Sequence, residues 1–276
     1  MLIAVDAGNT HTVVGLYRGD TLVDHWRIGT NAERTSDEHA LVVQEFLGFH
    51  GFSFDDDVDG IAISSVVPRS TAAFRQMTEK YFGFRPVVIE PGVKTGMPIL
   101  TENPREVGAD RIANAVAALD LFGGPAIVID FGTAITYDAL SAKGEYLGGL
   151  IAPGVEISLD ALYTRAAALR RVELVEPRNI IGRTTVESIQ AGAIFGFAGQ
   201  VDGICRRLID EMGAPASSPP VVWPSSSPRT RARSSAWNPG SRCTVFAWCS
   251  PGTRETGLCA GPVWRAAPRR VGAPVS

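Results

Sequence analysis

No stretch of about 18 consecutive apolar residues occurs in this chain of 276 residues, so no segment reads as a membrane-spanning helix. Neither a Gly-x4-Gly-Lys-Ser/Thr loop nor a Gly-x-Ser-x-Gly elbow is present. Their absence removes the ordinary P-loop kinases and the elbow-type serine hydrolases. Histidine is scarce, and His11, His25, His39 and His50 show no paired spacing, which argues against a zinc site. Cysteine is equally sparse: Cys205, Cys243, Cys249 and Cys259 give neither a disulfide framework nor a zinc spacing. The opening Met1–Asp6 has no basic leader and no small-residue cleavage site, so a signal peptide is not expected and the cytoplasm is the expected compartment.

Acidic residues are nearly missing from one region. Residues 214–276 hold eight arginines against the single acid Glu255, so this tail is +7 and the first 213 residues are −10, for a total of −3. An acidic body argues against nucleic acid as the main partner. The tail also lacks lysine, yet holds four of the five tryptophans and ten of the eighteen prolines. A disordered tail is usually poor in Trp and Cys. The mixture reads as a GC-rich coding stretch translated out of frame, a natural basic tail being the alternative.

What is present before Met212 is an alternation of strands and helices. Leu2–Val5, Thr12–Tyr17 and Thr21–Arg27 read as a meander. A helix over 36–49 follows, opened by Thr35 and Glu38 at capping-box spacing, then a buried strand over Gly60–Val67. Next come a helix over 70–82, a short strand over Pro86–Ile89 and a helix from Arg105 to Phe122. The pattern then restarts, with a second meander at Ala126–Asp130, Ala134–Leu140 and Gly144–Leu150. A helix after Pro153-Gly154 and a long one from Thr184 to Met212 complete it. The two restarts match: Ile3-Ala-Val-Asp6-Ala-Gly8-Asn-Thr10 faces Ile127-Val-Ile-Asp130-Phe-Gly132-Thr133, their aspartates 124 residues apart. An internal duplication predicts two α/β halves, 1–122 and 123–213, facing a shared cleft, with 214–276 as an irregular tail.

A strand that ends in Asp and runs into a Gly-bearing hairpin suits phosphate. Glycine lets backbone N–H groups approach a polyphosphate closely, and Asn9, Thr10 and Thr133 add donors. The carboxylate is repelled by phosphate but can hold the cation that neutralises it. Either hairpin alone could be an ordinary Asp-Gly turn; two copies at domain spacing make that reading the weaker one. Gly108-Ala-Asp-Arg111 opens a helix, where Asp110 could simply cap. A carboxylate beside a guanidinium in a cleft is also a sound general base. Arg111 could fork onto a substrate carboxylate or onto phosphoryl charge. Thr184 and Thr185 read first as N-caps, and the arginines between 165 and 183 as a solvated face.

Together these residues resemble type III pantothenate kinase. The pieces that carry the likeness are Asp6–Thr10, Asn103-Pro-Arg-Glu-Val-Gly-Ala-Asp-Arg-Ile112, Asp130–Ala134, Gly148–Gly154 and Ile181–Thr185 with Ser188–Gly192. They are collinear over about residues 1–212. The resemblance implies a duplicated ribonuclease-H-like fold of the actin-like ATPase and sugar-kinase class, working as a homodimer without nucleic acid or membrane partners. It implies that Asp6, Ala7, Gly8, Asn9, Thr10, His11, Thr12 and Val13 hold the ATP phosphates, with Thr133 from the second hairpin. Asp110 would be the base; Gly108, Ala109, Asp110, Arg111 and Thr185 would line the pantothenate pocket. Asp130 would bind potassium or ammonium, with magnesium as the divalent cation. The product would be 4′-phosphopantothenate, on the way to coenzyme A. A nucleotide-binding regulator of the transcriptional accessory factor kind is the alternative on the same scaffold. Thr101 departs from the tyrosine that many members carry there, and nothing after Met212 resembles the family's remaining strands; read out of frame, the tail leaves the second sheet without a strand and with an exposed edge.

Overall fold

A computed structural model of the chain describes residues 1–90, 93–213, 221–224 and 246–248. The rest of the tail, on which the out-of-frame reading bears, lies outside the described residues. Among the described residues two compact units are present, the first made of residues up to 96 and 102–121, the second of 97–101, 122–213 and the two short strands at 221–224 and 246–248. Among the described residues no helix is long and apolar enough to cross a membrane.

The first unit is built on β1 (Leu2–Ala7), β2 (His11–Arg18) and β3 (Thr21–Gly29), followed by α1 (Ser36–Gly48) and the single turn α2 (Phe54–Asp57). β4 (Gly60–Ser65), α3 (Pro68–Tyr81), β5 (Val87–Val88) and α4 (Ala109–Phe122) complete it. The meander is antiparallel, while β4 lies parallel to β1 and β5 parallel to β4, giving the order β3-β2-β1-β4-β5. Alternation along the strands sends Ile3, Val5, Val14, Leu16, Ile61 and Ile63 to one side, where Val43 and Leu47 of α1 and Phe74 and Met77 of α3 cover them. The capping box expected at α1 is formed: Thr35 Oγ1 accepts from the Glu38 N–H at 3.3 Å, and Glu38 Oε2 accepts from the Thr35 N–H at 2.7 Å.

The second unit repeats this plan. β6 (Ala126–Phe131), β7 (Ala134–Leu140) and β8 (Tyr146–Pro153) form the antiparallel meander, followed by α5 (Val155–Arg165) and α6 (Thr185–Glu211). Ile127, Ile129, Ile135 and Tyr137 pack under Val201 and Cys205 of α6. The expectation that this sheet lacks a strand is corrected. β9 (Val221–Pro224) lies parallel to β6, and β10 (Phe246–Trp248) parallel to β9, so the order is β10-β9-β6-β7-β8. The free edge of β6 offers unpaired N–H and C=O groups, and the apolar pair Val221-Val222 is enough to take the register opposite Ile127 and Val128. Read outward from the meander, both sheets have the same strand order and the same sense at every pairing. This is the duplicated ribonuclease-H-like plan of the actin-like ATPases.

Of the boundaries that differ from the sequence reading, three have a clear local reason. β4 stops at Ser65 because Ser65 Oγ donates to the Val67 carbonyl at 3.1 Å, and Val67, ahead of Pro68, stays extended. β8 starts at Tyr146 because the turn consumes Ser141–Gly144, closed by the Gly144 N–H on the Ser141 carbonyl at 3.0 Å. The helix expected from Arg105 is interrupted: Pro104–Glu106 forms one 3-10 turn, Val107 is extended and buried, and α4 begins at Ala109. That break puts Asp110 in the first turn of α4, where the Gly108–Arg111 segment was expected to open a helix.

Candidate active site

Asp6 is the penultimate residue of β1, and Asp130 the penultimate residue of β6. Each is followed by a tight hairpin. In the first, the Gly8 N–H donates to the His11 carbonyl at 3.0 Å; in the second, the Gly132 N–H donates to the Ala134 carbonyl at 2.9 Å. The second turn is thus one residue shorter, which matches the missing Asn equivalent in its sequence. Asn9, Thr10 and His11 stand exposed at the first tip, and Gly132 and Thr133 at the second.

The first hairpin is stitched to the end of β3 through a residue the sequence did not single out. Thr30 Oγ1 donates to the Gly8 carbonyl at 2.7 Å and meets Thr12 Oγ1 at 2.9 Å, while its N–H donates to the Thr10 carbonyl at 3.0 Å. Thr12 is buried and its hydroxyl seals the hairpin, so of the residues expected at phosphate it serves from the inside. Ala7 is fully buried and Val13 partly so; they shape the tip through their backbone.

Asp6 and Asp110 are brought together within the first unit. Burial, foremost, and then the Asp110 carboxylate push the Asp6 carboxyl up from its ordinary 3.8 to about 6, against the pull of the Ser64 hydroxyl. Ser64 is the register partner of Asp6 on β4 and is buried. It is a second residue that sequence reading passed over, although two serines ending an apolar Ile-Ala-Ile strand were a visible signal.

Asp110 has a structural part at the head of α4 and also stands near Asp6. Its Oδ1 accepts from the Arg111 N–H at 2.8 Å, so it ties down the first turn of α4, and the same carboxylate faces Asp6. The Gly108 carbonyl accepts the first helical bond, from Ile112 at 3.0 Å. A Cβ at 108 would come within 2.5 Å of Asp110 Oδ1, so a larger residue there would move the carboxylate. Ala109, Asp110 and Arg111 are all half-buried.

In the second unit the Gly132–Thr133 turn is held by Gly154. The Gly154 N–H donates to the Thr133 carbonyl at 3.0 Å, and a Cβ on residue 154 would lie 2.4 Å or less from the Gly132 and Thr133 carbonyl oxygens. The Pro153-Gly154 end of β8 therefore fixes the second hairpin by close approach. Thr184 caps α6, accepting from the Glu187 N–H at 3.2 Å, but Glu187 turns its carboxylate to the Arg183 N–H at 2.8 Å instead of closing a full box. Thr185 is the first helical residue and is exposed.

The donor set suits cations of the hard kind. Asp130 sits beside a turn that offers only oxygens, from Thr133 and the backbone. Among the described residues no three His, Cys, Asp or Glu side chains gather.

The model of the type III pantothenate kinase family matches residues 2–207. A type III pantothenate kinase of Streptomyces avermitilis is 57% identical over 216 residues, which cover 77% of this chain and 82% of that protein. That of Streptomyces coelicolor is 55% identical over 216 residues, with the same shares of 77% and 82%. That of Moorella thermoacetica is 53% identical over 216 residues, covering 78% of this chain and 85% of its own length. With the match spanning both hairpins and the Gly108–Arg111 turn, the chain belongs to the type III pantothenate kinase family.

Proposed function

We infer that this protein transfers the γ-phosphoryl group of ATP to the primary hydroxyl of pantothenate, giving 4′-phosphopantothenate and ADP. The observation that carries the reading is the Asp6–Asp110 pair: two carboxylates close enough to disturb one another, one at a phosphate-type hairpin and the other at the head of a helix. Only one of two such groups is needed to meet a cation; the other is left to take a proton. Asp110 accepts the hydroxyl proton as that oxygen attacks phosphorus, and ADP leaves in line. Gly108, Ala109, Arg111 and Thr185 line the acceptor pocket.

The exposed tip Asn9-Thr10-His11, with the backbone of Asp6–Val13, holds the phosphates, and Thr133 adds its hydroxyl. Asp6 holds magnesium or its waters, and Asp130 holds a monovalent cation, potassium or ammonium. Such cations, when bound, supply positive charge against the triphosphate. Positioning and charge neutralisation thus account for the rate, without a covalent intermediate. The reaction is placed in the cytoplasm.

A coupled assay of ADP release tests this. ADP release that depends on added pantothenate is expected; ATP binding with no pantothenate-dependent release makes the protein a nucleotide-binding regulator instead. The protein also works as a homodimer in this reading. β8 leaves Leu150 and Ile151 exposed, and α5 leaves Ile157 and Leu162 exposed, apolar side chains that a second copy would cover. Sedimentation equilibrium should return twice the 29.4 kDa chain mass; a monomer at micromolar concentration contradicts it.

A further inference from the structure

The two hairpins are closed by equivalent residues. His11 opens β2 opposite Gly29, and Ala134 opens β7 opposite Pro153. The residue after each partner, Thr30 in the first unit and Gly154 in the second, therefore occupies the same place. Each makes the same backbone bond: the Thr30 N–H donates to the Thr10 carbonyl and the Gly154 N–H to the Thr133 carbonyl, both at 3.0 Å. The side chains then diverge. A Cβ at 154 would lie 2.3 Å from the Thr133 carbonyl oxygen and 2.4 Å from that of Gly132, so the second turn closes over a position that has to be bare. The first turn, longer by Asn9, leaves room for a threonine.

What that threonine does follows from peptide geometry. Thr30 Oγ1 donates to the Gly8 carbonyl at 2.7 Å. With its one proton engaged there, it accepts from the hydroxyl of the buried Thr12, 2.9 Å away. Counting the backbone bond to Thr10, Thr30 draws two carbonyls of the hairpin to itself. A carbonyl oxygen is the wrong pole for a phosphate, which is met by N–H groups. In a trans peptide the C=O and the following N–H point in opposite directions. Holding the Gly8 carbonyl on Thr30 therefore turns the Asn9 N–H, which shares its plane, the other way. Gly8 has no Cβ to hinder rotation of this peptide, so the Thr30 hydroxyl is what fixes it.

We propose that Thr30 is a positioning residue for the nucleotide: its hydroxyl holds the first hairpin in the form whose backbone N–H groups meet the triphosphate. The inference rests on the first hairpin being the seat of the ATP phosphates. Thr30 acts through Gly8 and does not itself touch the nucleotide. Loss of its hydroxyl leaves the backbone bond to Thr10 and the strand pairing in place, and releases only the Gly8–Asn9 peptide. If the binding form then falls to about a tenth of the population, the observed Kd rises about tenfold, a change that one hydrogen bond is enough to produce. The duplication has thus yielded one turn set by a side chain and one set by the lack of it.

The full chain is titrated with a non-hydrolysable ATP analogue in the presence of magnesium, and with adenosine, which has no phosphate. Thr30→Val keeps the branched shape and the backbone N–H but not the hydroxyl. It is expected to raise the Kd for the analogue about tenfold and that for adenosine less than about twofold. Thr30→Ser, which restores the hydroxyl, should bring the analogue back to within about threefold of wild type. Thr12→Val removes only the donor behind Thr30 and should show the same selectivity at about threefold; it carries the test if Thr30→Val does not fold. No loss for the analogue, an equal loss for adenosine, or no recovery by serine overturns the proposal. A wild type that binds the analogue no more tightly than adenosine overturns it too, together with the phosphate seat. Because binding is measured, a selective loss at Thr30 in a chain that releases no ADP with pantothenate would overturn the kinase reading alone.

Discussion

Replacing Asp110 by Asn is expected to lower kcat for pantothenate phosphorylation by about 10²-fold or more, the usual worth of a positioned base, while ATP binding survives. Asparagine is the informative substitution because Asp110 both holds the head of α4 and is proposed as the base. Its Oδ1 holds the Arg111 N–H at 2.8 Å, and an amide oxygen can accept that bond as well as a carboxylate can. The start of α4 is therefore retained, and only the capacity to take a proton is lost. Removing the carboxylate also relieves Asp6, whose pKa the Asp110 charge helps to raise. The variant should then melt no lower than the wild type. Turnover above roughly a tenth of wild type would remove Asp110 from the role of base. A large drop in melting temperature would show that the helix-capping task outweighs the chemical one.

How much of this arrangement was legible beforehand depends on the range of the interaction. The two meanders and their equivalence were readable because Asp-x-Gly after an apolar strand is a local pattern that repeats. The α1 capping box, Thr35 with Glu38, is likewise written within four residues. The break ahead of α4 was not readable from apolar spacing, since Ile112, Ala115, Val116 and Leu119 mark one helical face without marking where the helix begins. Gly108, which accepts the first helical bond, was the clue to the restart. Thr30 and Ser64 were missed because each acts across strands: Thr30 closes the first hairpin from β3, and Ser64 reaches Asp6 through a parallel pairing 58 residues distant. β9 was missed for a further reason. Val221-Val222 carries too little pattern by itself, and only the open edge of β6 makes a strand of it.

Replacing Asp6 by Asn should stabilise the empty protein at neutral pH and disable it at the same time. Asp6 carries a folded-state pKa of about 6 against 3.8 in its ordinary state, raised first by burial and then by Asp110. The folded chain therefore binds this proton more tightly than the unfolded chain does. Below about pH 4 both states are protonated and Asp6 costs nothing. As pH rises to about 6 the folded state is progressively penalised, and above 6 the penalty is constant. A shift of this size corresponds to a cost on the order of 3 kcal/mol at pH 7.5, which asparagine removes. Urea unfolding from pH 4 to pH 8 should show the variant gaining stability over the wild type as pH rises, with no gain at the acid end. A variant no more stable than wild type at pH 7.5 would mean that Asp6 is not held as a strained charge. Phosphate transfer should nonetheless fall by about 10²-fold or more, because a neutral amide cannot hold the cation that neutralises the triphosphate. A residue whose removal improves the fold and abolishes the reaction is kept for its chemistry. On that account the energy held at the Asp6–Asp110 pair is what a cation bound with ATP would release.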